Sequence, residues 1–120
     1  MPVKQAFSSE VRLLTADDFT QVFQNGCCKA GDNAFLLLAR HNQLEQPRLG
    51  LVIAKKQLKR AVDRNRVKRI AREAFRHQLQ ALAGVDVVVL CRSGAFGLDK
   101  AEIRHHMNRL FDKIVRLNNP

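Results

Sequence analysis

The sequence has no tryptophan and no tyrosine, so seven phenylalanines supply all of its aromatic rings and must build much of its core. Cysteine is scarce as well. Cys27, Cys28 and Cys91 are the only three, and none forms a C-x2-C pair, which excludes the usual zinc-binding spacings. Vicinal cysteines seldom bridge each other because the geometry is strained. An odd count without a secretion signal reads as reduced thiols. Cys91 fits the end of a strand as a small buried hydrophobe, and Cys27-Cys28 the start of another. No apolar run approaches the roughly 20 residues that cross a membrane; the longest, over 85–91, is interrupted by Asp86. Met1-Pro2-Val3-Lys4-Gln5 lacks the apolar stretch of a secretion signal. Internal repeats and low-complexity tracts are missing too. With 46% hydrophobic and 27% charged residues over 120 positions, the expectation is a single soluble, cytoplasmic domain over 1–120, with no membrane and no obligate protein partner.

Acidic residues are the other shortage. Eleven acids face 21 lysines and arginines, a net charge of +10. The excess is concentrated between residues 55 and 76, where Lys55, Lys56, Lys59, Arg60, Arg64, Arg66, Lys68, Arg69, Arg72 and Arg76 meet only Asp63 and Glu73. That window carries +8, leaving +2 for the rest of the chain. Such a patch repels itself unless a polyanion is near, which points first to nucleic acid and second to an anionic membrane surface.

Periodicity divides the chain into six elements. An extended arm over 1–14, anchored by Phe7, precedes a helix that Thr15 caps and Asp17 and Asp18 support at its positive end. Phe19, Val22 and Phe23 give this helix an apolar stripe, and Asn25-Gly26 closes it. Residues 35–39 and 48–54 read as two strands joined by a polar turn over 41–47, in the manner of a hairpin. A basic connector leads to a helix over 62–82, which Gly84 stops. Residues 85–91 are nearly all apolar, as in a strand covered on both faces. After a loop over 93–97, Asp99 caps a last helix with Glu102 three residues on, and Ile103, Met107, Leu110, Phe111, Ile114 and Leu117 form its buried stripe. The order α-β-β-α-β-α is that of an α+β fold, an α/β sandwich with three helices on a small mixed sheet.

The basic helix separates its residues by face. With Arg64 at zero, Lys68, Arg72 and Arg76 fall at roughly 40°, 80° and 120°, with Asn65 and Arg69 among them, while Val67, Ile70, Ala71 and Ala74 share the opposite side. Like charges at successive i+4 steps cost helix stability; phosphates relieve that cost through counterion release and charge-assisted hydrogen bonds. Five arginines to one lysine favour bidentate phosphate contacts. A merely solvated basic face is the plainer alternative. A membrane helix fits less well, because the apolar face holds mostly Val and Ala.

No catalytic group emerges from the side chains. His105 and His106 diverge by about 100° on a helix and cannot act together on one atom; His41 falls in a turn without a partner, and the carboxylates form no metal-binding pattern. The expected catalytic and metal sets within the protein are therefore empty.

Lys55-Lys56, then Ala61-Val62, then Arg64-Asn65-Arg66-Val67-Lys68-Arg69-Ile70-Ala71-Arg72-Glu73 resembles the RNR signature of the bacterial ribonuclease P protein family. Arg12-Leu13, Asp18-Phe19, Val22-Phe23 and Gly26 resemble that family's first helix, and Leu49-Gly50-Leu51-Val52 and Asp86-Val87-Val88-Val89 its strands. The resemblance covers about residues 10–117. It implies a fold like the second domain of ribosomal protein S5, with a left-handed βαβ crossover. It also implies a protein that binds the catalytic RNA and the 5′ leader of precursor tRNA, within a ribonucleoprotein endoribonuclease whose RNA and substrate hold the catalytic Mg²⁺. By resemblance, Lys55, Lys56, Lys59, Arg60, Arg64, Asn65, Arg66, Lys68, Arg69, Arg72 and Arg76 contact the RNA subunit, and Phe19, Phe23 and Phe35 line the leader cleft. Helical spacing of Phe19 and Phe23 is equally what packing requires. Two departures stand out: Lys59-Arg60 replaces the Gly-Asn of many members, and Leu38-Ala39 lacks the tyrosine that some place there. A general binder of structured RNA, such as a ribosomal or assembly protein, is the rival reading.

Overall fold

The computed structural model describes residues 16–118. The arm over 1–14 with Phe7 and Arg12-Leu13, and the Thr15 cap, lie outside them. The elements run α1 (Ala16–Asn25), β1 (Cys28–Gly31), β2 (Phe35–His41), β3 (Arg48–Val52), α2 (Ala61–Arg76), β4 (Val85–Cys91), a 3₁₀ turn (Ser93–Ala95) and α3 (Lys100–Asn118). The four strands form one mixed sheet in the order β1-β2-β4-β3.

This architecture corrects the expected hairpin. β2 and β3 do not pair; β4 lies between them, antiparallel to β2 with Leu37 opposite Val89 and parallel to β3 with Leu49 opposite Val87. The reason is in β4 itself, whose Val85, Val87, Val88 and Val89 are all fully buried. A strand this apolar is best satisfied at the centre of a sheet with both faces covered. The 41–47 connection therefore spans the start of β4, where the Asn42 N–H donates to the Gly84 carbonyl at 2.9 Å. β1 adds a strand to the expected order, giving α-β-β-β-α-β-α; it begins at Cys28 and pairs antiparallel with β2.

Strand alternation assigns the two faces of the sheet. Phe35, Leu37, Ala39, Leu49, Val85, Val87, Val89 and Cys91 join Ala30 in the main core beneath α2 and α3. Leu36, Leu38 and Arg40, with Asp86, Val88 and Leu90, point to the other face, which α1 crosses above β2 and β4. Gly26 ends α1 against the sheet: a Cβ there would stand 2.8 Å from the Val22 carbonyl oxygen and 3.2 Å from that of Ala39.

Helix α2 buries Val67, Ile70, Ala71 and Ala74, as its periodicity requires. Phe75, close to the basic face by angle, is also fully buried, its ring 6.2 Å from that of Phe111 on α3. The helix ends at Arg76, short of the expected 82. Beyond it the regular ladder breaks up: the Gln78 and Ala83 N–H groups donate three residues back, to Phe75 and Gln80, one four-residue bond remains from Leu82 to Gln78, and Leu82 packs fully inside. Gly84, at φ +76°, then reverses the chain into β4. On α3 the Asp99–Glu102 capping box forms in both directions, at 2.8 and 3.0 Å. Ile103, Met107, Leu110, Phe111 and Ile114 are buried, whereas Leu117, expected in the same stripe, is 46% exposed near the helix end.

Candidate nucleic-acid interface

The residues singled out on α2 form an outward stripe. Asn65 and Arg69 are exposed, Lys68, Arg72 and Arg76 are half-buried, and among the described residues no ion pair joins any of them to an acid. Long basic side chains often lie with their stems on apolar surface and their heads in water, which leaves this stripe available to phosphates. Arg64 sits at the edge of the buried arc and does a different job. Its Nη1 donates to the carbonyls of Leu58 and Lys59 at 2.9 and 2.8 Å, so it ties the 55–60 connector to the start of α2.

That tie shapes a second surface. Between the connector, the first turns of α2 and the loop after the 3₁₀ turn lies a cleft of about 770 Å³. Lys56, Lys59, Arg60 and Arg66 line it, over a floor that includes Leu58, Val67, Leu98 and Ile103. Two carboxylates also border it: Asp63, 3.7 Å from Arg60, and Asp99, engaged in the α3 capping box. Arg60 is the N-cap of α2 and forms no side-chain cap, so the positive end of the helix adds to the field in the cleft. Arg66 has its Nε buried without a hydrogen-bond partner among the described residues. The basic residues are thus divided between an outer stripe (Asn65, Lys68, Arg69, Arg72, Arg76) and a cleft (Lys56, Lys59, Arg60, Arg66), with Lys55 exposed on the connector between.

The face beneath α1 is separate. Cross-strand register sets Leu36, Leu90 and Val52 in one row across β2, β4 and β3, with Leu38, Val88 and Gly50 in the next. Leu36, Leu38 and Leu90 are half-buried, and Val52 is exposed. On α1, Phe19 is half-buried and Phe23 is 51% exposed. Phe35 must be corrected as a cleft residue. It is 0% exposed and packs edge-on against His106 in the main core, because alternation turns it away from α1. Leu36 and Leu38 take the place expected of it, a shift that the period-2 pattern starting at Phe35 already contains.

One end of this face is locked by charge. Asp86, fully buried on β4, accepts from Arg48 Nε and Nη2 at 2.8 Å each and from Asn42 Nδ2 at 2.8 Å, and pairs with Arg40 at 3.1 Å. Asp18 of α1 joins both arginines, at 3.1 Å from Arg48 and 3.6 Å from Arg40. The hydrogen bonds to Asp86 push the Arg48 guanidinium further up from its usual range. The interruption of the apolar strand is thereby a clamp that seats α1 on the sheet.

His106 Nδ1 lies 2.6 Å from Asp32 Oδ2, with Arg109 at 3.3 Å from the same oxygen. Burial raises the Asp32 carboxyl, but the hydrogen bonds with His106 and with the Phe35 and Ala34 N–H groups outweigh it and hold the carboxyl below its ordinary range. Cys27 and Cys28 have their sulfurs 3.0 Å apart. Burial, then the adjacent Cys27, pushes the Cys28 thiol up to about 11, and burial alone does the same for Cys91. No group of three or more His, Cys, Asp or Glu that could hold a metal ion gathers among the described residues. No helix among them is long and apolar enough to cross a membrane.

The sequence family described as Ribonuclease P matches residues 7–115. The ribonuclease P protein component of Pseudomonas paraeruginosa is 46% identical over 114 residues, covering 95% of this chain and 84% of the relative. That of Pseudomonas putida is 45% identical, covering 95% and 85%. Among solved structures, the RNase P protein of Staphylococcus aureus superposes with a TM-score of 0.78 at 25% identity, over 90% of this chain and 97% of that one. The RNase P protein of Thermotoga maritima gives 0.66 at 33% identity, over 82% and 94%.

Proposed function

Since the chain belongs to the bacterial ribonuclease P protein family, we propose how its surfaces divide the work of that ribonucleoprotein. The protein is the protein component of ribonuclease P, an endoribonuclease of tRNA processing whose catalysis resides in the RNA subunit, and it associates with that RNA. The observation that carries the assignment of surfaces is the α2 stripe, whose bases have no interleaved acid but Glu73.

In this reading the stripe of Asn65, Lys68, Arg69, Arg72 and Arg76 lies along the phosphate backbone of the RNA subunit, and Lys55, Lys56, Lys59, Arg60 and Arg66 extend the contact across the connector and cleft. Phosphates there replace the like-charge repulsion of the free helix with charge-assisted contacts. Arg64 is a positioning residue that holds the connector. The face beneath α1 takes the single-stranded 5′ leader of precursor tRNA, with Phe23 and Phe19 offering rings and Leu36, Leu38 and Leu90 an apolar bed. In this reading the Mg²⁺ of the reaction is held by the RNA and its substrate. The protein works in the cytoplasm and needs neither a membrane nor a further protein subunit.

Two variants test this division. Arg69→Ala is expected to weaken binding of ribonuclease P RNA and to lower the slope of log affinity against log salt by about 1. Phe23→Ala is expected to leave RNA-subunit binding intact while weakening holoenzyme affinity for precursor tRNA, by roughly 1–3 kcal/mol, with mature tRNA unaffected. Unchanged affinity and slope for the first, or equal losses on precursor and mature tRNA for the second, contradicts the respective assignment.

A further inference from the structure

The loop that follows β4 presents Phe96 with 69% of its surface exposed, more than any other large hydrophobic residue among those described. It stands on the rim of the basic cleft and has no part in the core. Its position is fixed by the backbone around it. The Phe96 N–H donates to the Ser93 carbonyl at 3.2 Å, the Gly94 N–H to the Asn33 carbonyl at 2.9 Å, and Gly97 turns the chain at φ +84°. An aromatic ring held out to water beside four cationic side chains is poorly explained by folding alone.

We infer that this cleft is a nucleotide site, in which Phe96 stacks on an unpaired base of RNA while Lys59, Arg60 and Arg66 hold the adjoining phosphate. The inference rests on the RNA-binding reading above and adds to it a specific stacking residue. Three observations carry it. The volume of about 770 Å³ lies within the roughly 300–1,000 Å³ of sites that enclose small ligands. Four bases outnumber two carboxylates on its walls, and both carboxylates are already engaged, so the free charge calls for an anion. Arg66 has part of its guanidinium out of water with Nε unpaired, which an anion nearby would compensate. A ligand that combines a phosphate with a flat apolar ring meets the cations and Phe96 together. A second copy of this chain, itself at +10, would be repelled.

The test uses the full-length protein and ribonuclease P RNA, with affinity measured over a range of salt concentrations. Phe96 is outside the core, so Phe96→Ala should melt at the wild-type temperature. It is expected to bind the RNA roughly 5- to 100-fold more weakly, with the salt slope unchanged because no charge is lost. Phe96→Trp should restore affinity, and Phe96→Leu should not, because a base stacks on a ring face and not on a branched chain. If Phe96→Ala binds as wild type while Arg69→Ala is impaired, the nucleotide site is overturned and the RNA interface on α2 stands. If neither variant changes binding, both fail. If Phe96→Leu binds as wild type, stacking is overturned.

Discussion

Asp86 is a carboxylate in a strand whose neighbours are valines, and its environment shows what allows it there. Two arginines and an asparagine satisfy both of its oxygens, and Asp18 balances the second positive charge. Removing the carboxylate would leave Arg40 and Arg48 partly buried against each other with only Asp18 to share. Asp86→Ala is therefore expected to destabilise the protein by about 3–5 kcal/mol in denaturant unfolding, and a loss under about 1 kcal/mol, the size of a surface pair, would contradict the clamp. Asp32 supports a pH prediction. Its folded pKa is held below the ordinary carboxylate value, so the folded state binds its proton less readily than the unfolded state. The stability this gives is fully present above the unfolded value of about 3.9 and is lost as pH falls through the folded one. Asp32→Asn should lower stability near neutral pH and flatten the acid limb of a stability-pH curve, and an unchanged acid limb would count against the His106 and backbone contacts as its source. The side chains paired with this carboxylate, His106 and Arg109, both come from α3.

At the scale of elements, local pattern was legible and pairing was not. The α2 stripe and its apolar face, the α3 capping box and the buried β4 all follow from spacing and composition, because a 3.6 or 2.0 residue period is a local property. The hairpin expectation failed for a non-local reason: β2 and β3 have adjacent positions in sequence, but the doubly buried β4 takes the place between them. Phe35 was misassigned for a related reason, since which face of a strand meets the core depends on what packs there. The periodicity overextends α2 because Leu79 and Leu82 keep the apolar rhythm where the regular hydrogen-bond ladder has broken into isolated turns. Phe96 and Arg66 could not be brought together from sequence, being joined only when the loop after β4 folds beside the start of α2. That loop yields a further prediction. A Cβ at Gly94 would stand 2.3 Å from the Asn33 carbonyl oxygen, a backbone atom that cannot swing aside. Gly94→Ala should cost roughly 1–3 kcal/mol by overpacking and displace Phe96, seen as a lower melting temperature; an unchanged melting temperature would show that the loop is free to shift.

Over the whole molecule, the sheet separates two surfaces. One side carries the main core beneath α2 and α3, with the basic stripe and cleft on the outside of α2. The other carries α1 over a half-open apolar face, clamped at the Asp86 end. A protein of net charge +10 is attracted to any polyanion, so RNA binding alone is a weak test of its role; what separates a ribonuclease P subunit from a general RNA binder is a dependence of processing on the protein. The most direct measurement is cleavage of a precursor tRNA by bacterial ribonuclease P RNA at low Mg²⁺, with RNA alone, protein alone and both together. Cleavage at the mature 5′ end is expected only when both are present, with no activity from the protein alone. Tight RNA binding without stimulation of cleavage, or cleavage by the protein alone, would contradict it.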